Sequence, residues 1–280
     1  MIDGLSCKMT NAVKTIHKDR SVRATLKSLA TMGASFLLMV AGLTVVFALP
    51  AAASTTVVAN LITGPPSTTG QFVAINQSGG SGAVSVVDGP TGSPNGTGSL
   101  QMMVTGSIDH WSVYNYDHEG TALSAITALS YSTYTSNSVT DPMLQMEINP
   151  GNTTGLDAGI TYSTLSFEPY QQSTGVTPDS WQTWNLLTDP ATTMVWGTHL
   201  TGAPDSAPIS WSTFLSDYPN ATIKHGFGVN VGSGWSAMTG NVDALTFGTS
   251  SGTTVYNFEP STSVAPSPVP AGATVVSNHT

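Results

Sequence analysis

The sequence predicts an all-β domain, a sandwich or barrel, on three observations. Short β-branched and aromatic runs alternate apolar and polar residues with period two. Glycine and proline clusters punctuate them: Gly64-Pro65-Pro66, Gly79-Gly80-Ser81-Gly82, Gly89-Pro90 and Asn149-Pro150-Gly151-Asn152. Long amphipathic helical patterns and internal repeats of 20 to 50 residues are both missing, which argues against helical, propeller and solenoid folds.

The clearest strand is 223–231, where Ile223, Phe227, Val229 and Val231 share one parity with His225, and Lys224, Gly226, Gly228 and Asn230 share the other. That parity places His225 in the core face, and it leaves a gap above Gly226 and Gly228 for a facing aromatic or a ligand. Leu144, Met146 and Ile148 alternate with Gln145 and Glu147 in the same way. Further strands are expected at 100–104, 113–116, 128–134, 161–167, 181–186, 242–247 and 254–258. One or two helical turns are expected within 209–218, capped by Ser210 and stopped by Pro219. Two sheets of four to six strands would bury enough surface to stand without disulfides.

Residues 1–53 read as a secretory signal peptide. Lys8, Lys14, Lys18, Arg20, Arg23 and Lys27 form a cationic region 1–27, followed by the apolar stretch 28–49 and Pro50-Ala51-Ala52-Ala53, with cleavage expected after Ala53. No Arg-Arg pair marks a twin-arginine route. The rival reading is a retained anchor, since 29–49 is about long enough to span a bilayer. A single domain is expected over 54–260 and a free Pro/Ser-rich disordered tail over 261–280. A secreted, extracellular monomer follows, with no membrane association once the signal is removed.

Charge narrows the function. The 227 residues after Ala53 hold fourteen acids, one Lys and no Arg, about 7% charged where about 25% is usual. A surface whose only cation is Lys224 cannot neutralise a run of phosphates, which excludes nucleic acid as a partner. Polyanionic glycans are disfavoured for the same reason. The single cysteine, Cys7, precedes the domain, so neither disulfides nor a thiolate metal site is available within it.

Two stretches resemble jelly-roll carbohydrate-binding modules of the galactose-binding-like kind. Val176-Thr177-Pro178-Asp179-Ser180-Trp181-Gln182-Thr183-Trp184 resembles a Trp-Gln-x-aromatic strand, and Gly240-Asn241-Val242-Asp243-Ala244-Leu245-Thr246-Phe247-Gly248 resembles the last strand. The order of Leu129 to Tyr134, the Trp181–Trp184 strand, Gly232 to Trp235 and Phe258 to Pro260 also resembles exported bacterial proteins of unassigned function. The resemblance covers about residues 97–260. It implies a two-sheet antiparallel jelly-roll sandwich, makes Trp181 the core residue and leaves Trp184 as a stacking platform. It also implies that Asp243 helps to hold a structural calcium ion, although residues 55–75 lack the acids that usually complete such a site.

The functional expectation is non-catalytic binding of a neutral glycan or other cell-surface ligand by Glu147, Tyr162, Tyr170, Gln171, Trp184 and Trp196. Aromatic rings stack on the apolar face of a pyranose, and Glu147 and Gln171 take its hydroxyls. A structural or adhesive surface protein is the alternative. An enzyme cleaving neutral polysaccharide would need Glu147 and Glu168 to converge within about 5–10 Å. No nucleophile elbow, P-loop or His-Glu-x-x-His pattern is present. Asp109-His110 and Asp117-His118, eight residues apart, are a further candidate pair for a divalent ion, if they flank a hairpin.

Overall fold

The computed structural model describes residues 53–260. Of the expected signal segment it includes Ala53 alone; that segment's residues 1–52 and the tail 261–280 lie outside the described residues.

The described chain forms fifteen strands. The first five are β1 (Ser54–Val58), β2 (Asn60–Ile62), β3 (Gln71–Asn76), β4 (Ala83–Asp88) and β5 (Gly98–Val104). Next come β6 (His110–Asn115), β7 (Ile126–Thr135), β8 (Met143–Asn149), β9 (Ser163–Phe167) and β10 (Gln182–Asn185). The last are β11 (Met194–Gly197), β12 (Ile209–Ser210), β13 (Thr222–Gly232), β14 (Met238–Thr249) and β15 (Gly252–Asn257). One sheet has seven strands: β1-β15-β14-β5-β4, with β7 on the other side of β14 and β10 beyond it. The other has eight, in the order β12-β11-β9-β8-β13-β6-β3-β2. The chain passes repeatedly from one sheet to the other, giving the jelly-roll sandwich expected from the sequence. The sheets are wider than the four to six strands expected, because β1 to β4 carry weak alternation and add to the sheet edges. Two of those edge pairings, β1 with β15 and β2 with β3, are parallel rather than antiparallel.

The core lies where the inner faces meet. Leu144, Met146 and Ile148 of β8 and Phe227, Val229 and Val231 of β13 are buried from the second sheet. Phe72 of β3 meets Tyr256 and Phe258 of the opposing sheet edge-to-face, with ring centroids 5.0 and 5.1 Å apart. Such pairs add roughly 0.5–1.5 kcal/mol beyond the area that they bury.

Two sequence expectations need correction here. His225 is not a core residue: the pairing of β13 with β8 shifts between Ile223 and Phe227, a bulge that turns its side chain out to 47% exposure, 3.9 Å from Glu119. Trp181 and Trp184 do sit on opposite faces, but in exchanged roles. Trp184 is buried at 4% exposure, packed on Phe167, and its Nε1–H donates to Thr133 Oγ1 at 2.8 Å. Trp181 is half-buried, tilted against Tyr134, and donates to the carbonyl of Pro90 at 3.3 Å. Trp184 is therefore a core plug and not a stacking platform.

The single α-helix among the described residues, α1 (Trp211–Asp217), falls inside the expected window. Ser210 Oγ caps it by accepting the Thr213 N–H at 3.2 Å, and Trp211 and Phe214 are its buried face.

Candidate functional site

The outer face of the eight-stranded sheet carries a groove of about 470 Å³. Strand parity builds it. With Leu144, Met146 and Ile148 facing inward, β8 turns Met143, Gln145 and Glu147 outward. In the same way β13 presents Gly226, Gly228, Asn230 and Gly232, and β6 presents His110, Ser112 and Tyr114. Trp196 comes from β11 and Thr198 from the residue just after it, while Tyr170 and Asp205 form one rim and Ser233 and Trp235 another.

Tyr114 lies in the gap that the β13 glycines leave. It pairs with Gly228 in register, crosses that strand, and its hydroxyl donates to Gln145 Oε1 on β8 at 2.9 Å. A Cβ on Gly228 would stand 1.9 Å from the Val113 carbonyl oxygen, so the close approach of β6 requires glycine there. Gln145 then donates to Ser166 Oγ at 3.1 Å, which gives the floor a fixed orientation. Burial pushes the Tyr114 hydroxyl well above its usual range and keeps it a neutral donor. His110, beside Asn230, is held down by burial and is neutral near pH 7; Asn230 Nδ2 donates to its Nε2 at 2.7 Å.

The two ends differ. At one, Glu147 accepts from Tyr162 Oη at 2.9 Å and from the Gly226 N–H at 3.3 Å. Lys224 Nζ stands 5.7 Å from the centre of the Tyr162 ring and donates to the Thr161 carbonyl. At the other, Glu168 is buried at 5% exposure and accepts from Trp196 Nε1 at 3.0 Å. Burial raises the Glu168 carboxyl; hydrogen bonds from Trp196 and Tyr170 oppose the rise and the Asp205 charge adds to it.

Of the six residues singled out from the sequence, the groove brings together Glu147, Tyr162, Tyr170 and Trp196. Gln171 stands behind the rim, where its Nε2 donates to Tyr170 Oη and Asp205 Oδ1 at 3.3 and 3.4 Å. Trp184 is in the core. Sequence reasoning missed His110, Tyr114, Gln145, Asn230 and Trp235 as lining residues. The signal was available in part: Asn230 has the parity of Gly226 and Gly228, the face already marked as open. Asp109-His110 and Asp117-His118 sit at the two ends of β6 and form no common site. Asp109 accepts from Thr105 and Ser81, while His118 stacks on Phe247 at 3.8 Å with its Nε2 2.9 Å from Tyr256 Oη.

The surroundings of Asp243 do not fit a calcium ion. Its carboxylate accepts the Asn95 N–H at 2.8 Å and faces the Phe258 N–H at 3.5 Å, and the neighbouring Glu259 accepts the N–H groups of Thr97 and Gly98. Calcium takes six to eight oxygen ligands, whereas these carboxylates face N–H donors. Among the described residues no group of three or more His, Cys, Asp or Glu is placed to hold a metal ion. Chelation is therefore expected to leave the thermal midpoint within about 1 °C, since a ligand that binds only the native state would raise it. A fall of several degrees with chelator in a thermal melt would identify a metal there.

Nor do Glu147 and Glu168 make a close carboxylate pair. Glu147 pairs with Thr164, four residues before Glu168 along the same edge, so their Cα atoms are roughly 14 Å apart. Tyr162 and Trp196 then hold their carboxylates at opposite ends of the groove.

No family model matches the sequence, and no curated protein matches it. Two solved structures are similar to this chain. One is a family 11 carbohydrate-binding module from Clostridium thermocellum, in complex with a β-1,3-1,4-mixed-linked tetrasaccharide, at 12% identity, 67% coverage of this chain, 89% of that one and a TM-score of 0.35. The other is the family 11 module of a cellulosomal cellulase of the same organism, at 12% identity, 68% and 89% coverage and a TM-score of 0.34. Likeness this remote carries no argument about ligand or site.

Proposed function

We propose that this is a secreted, non-catalytic binding domain whose groove takes a neutral glycan. The observation that carries the reading is the convergence of four partly exposed aromatic side chains, Tyr162, Tyr170, Trp196 and Trp235, around a floor of amides, hydroxyls and carboxylates. Rings of this kind stack on the C–H faces of pyranoses, while Gln145, Glu147 and Asn230 meet hydroxyls along the chain. Among the described residues no Lys or Arg lines the groove, which disfavours uronates and sulfated polymers. The segregation of Glu147 from Glu168 supports binding over glycoside cleavage. Export rests on the cationic and apolar character of residues 1–53. Among the described residues no helix is long and apolar enough to cross a membrane.

Glycan-array binding by the purified protein tests the reading. Neutral oligosaccharides are expected to bind, and Trp196→Ala to weaken them at least about tenfold, the loss of a stacking platform and of the Glu168 donor together. Absence of binding to every neutral glycan would leave a structural or adhesive surface domain as the better account.

A further inference from the structure

The groove is unequally charged along its length, and this points past neutral sugars. Glu147, Glu168 and Asp205 line it, and no Lys or Arg does. At the Glu147 end the ammonium of Lys224 lies over the ring of Tyr162, whose hydroxyl donates to that carboxylate. Lys224 is the only Lys or Arg among the described residues, so none of them stands comparably at the Glu168 end. There a buried carboxylate meets neutral donors, the N–H of Trp196 and the hydroxyl of Tyr170, and the charged group that acts on it is another acid, Asp205.

A second observation comes from Asn230. This side chain is 1% exposed and lines the groove, and its Oδ1 has no hydrogen-bond partner. The strand register aligns it with Glu168: Asn230 pairs with Met143, and the Leu144–Phe167 pairing brings Met143 beside Glu168. An acceptor without a donor and a carboxylate without a cation thus lie in one row, roughly 10 Å apart across two strand spacings, with Met143 as apolar floor between them and Trp196 and Tyr170 at the edge. A buried acceptor without a donor is unfavourable until a donor reaches it. The missing partner is donor-rich and positively charged, and an aromatic edge also favours a cation.

We infer that the Glu168–Asp205 end of the groove is a subsite for a protonated amino group, and that the preferred ligand is a glycan bearing free amines, such as a 2-amino-2-deoxy polysaccharide. The inference rests on the glycan-binding reading above and extends it from neutral to amine-bearing sugars. Stacking rings spread along the groove suit a chain of sugars, and the amine supplies what the uncompensated end lacks.

Calorimetric titration of the purified protein with three tetrasaccharides at mildly acidic pH tests it: β-1,4-linked glucosamine, its N-acetylated counterpart and the matching neutral glucan. The free amine is expected to bind about tenfold more tightly than either neutral ligand, the yield of one charge-assisted contact. Glu168→Gln is expected to bring that ratio close to one. Asp205→Asn, at an exposed position, is expected to lower it part-way, and it keeps the test open if the buried variant fails to fold. A ratio near one in the unmodified protein, with the neutral ligands still bound, would overturn the amine subsite and leave the glycan reading standing. A ratio that neither variant changes would also overturn it. No binding of any of the three would overturn the amine subsite, and the glycan reading would then be decided by the array of neutral glycans. Equal binding of a lysine tetrapeptide would show selection of charge without sugar and would overturn the inference as well.

Discussion

Replacing Trp184 by alanine is expected to lower the unfolding free energy by about 3–5 kcal/mol, the cost of emptying a buried aromatic site. The indole is packed on Phe167, and its strand pairs it with Tyr131 of β7, which is itself fully buried. The same change removes the N–H that Thr133 Oγ1 accepts, inside a site closed to water. Trp181→Ala serves as the internal comparison. Trp181 is half-buried and its one hydrogen bond, to Pro90, is long at 3.3 Å, so a loss of about 1–2 kcal/mol is expected. Urea denaturation of the two variants decides the assignment by rank order. A larger loss at Trp181 would mean that β10 faces the other way.

These two tryptophans also show how far the sequence could be read. Their spacing of three puts them on opposite faces of any extended strand, and the structure has them so. Which one faces inward depends on where the strand begins, and β10 starts at Gln182, one residue after Trp181. A one-residue ambiguity exchanges core for surface. Strands with two or more inward aliphatics in alternation, such as β8 and β13, were legible, because burial on one face leaves a periodic trace. His225 was misplaced for a related reason: the bulge between Ile223 and Phe227 breaks the period, and no residue in Lys224-His225-Gly226 announces it apart from the glycine. Glu147, Tyr162, Tyr170 and Trp196 were found as polar or aromatic residues near strand positions. Asn230 and Gln145 were not, because a buried amide on an outward face looks in one dimension like any solvated strand residue. What makes them a site is the lateral register of five strands, which one sequence does not display.

The stability of the domain is expected to fall as pH rises from about 4 to about 8, and Asp141→Asn to remove much of that fall. Asp141 is 3% exposed; its Oδ2 accepts the Thr133 hydroxyl, and its Oδ1 has no partner. Burial, opposed by bonds from Thr133 and Trp184, raises its carboxyl from 3.8 to about 7. Asp243 is raised to about 6, again chiefly by burial, against the backbone N–H groups around it. The sign follows from proton counts. Between 3.8 and the raised value the native state keeps a proton that the unfolded chain has lost, so stability declines with pH across that interval. Below 3.8 both states are neutral and the full stability is present. For Asp141 the ionised form costs on the order of 4 kcal/mol by the time the pH exceeds 7. Asp157 works in the other direction: burial raises it, but hydrogen bonds from Thr201, Tyr218 and Gly202 outweigh this and hold it at about 2. Its contribution is present above 3.8 and is lost only as pH falls toward 2, so it caps the profile on the acid side without opposing the decline above. Burial lowers His110 and His118, so both oppose the decline at pH below 6.5, and the Asp141 share is read from the difference between parent and variant. Asparagine cannot ionise but brings an amide whose N–H groups find one open position at most, which costs about 1 kcal/mol. Asp141→Asn should then gain about 2–3 kcal/mol above about pH 8 and stay within about 1 kcal/mol of the parent near pH 4. Urea titrations at both pH values read this directly, and a variant no more stable than the parent above about pH 8 would show that Asp141 is not an uncompensated buried acid.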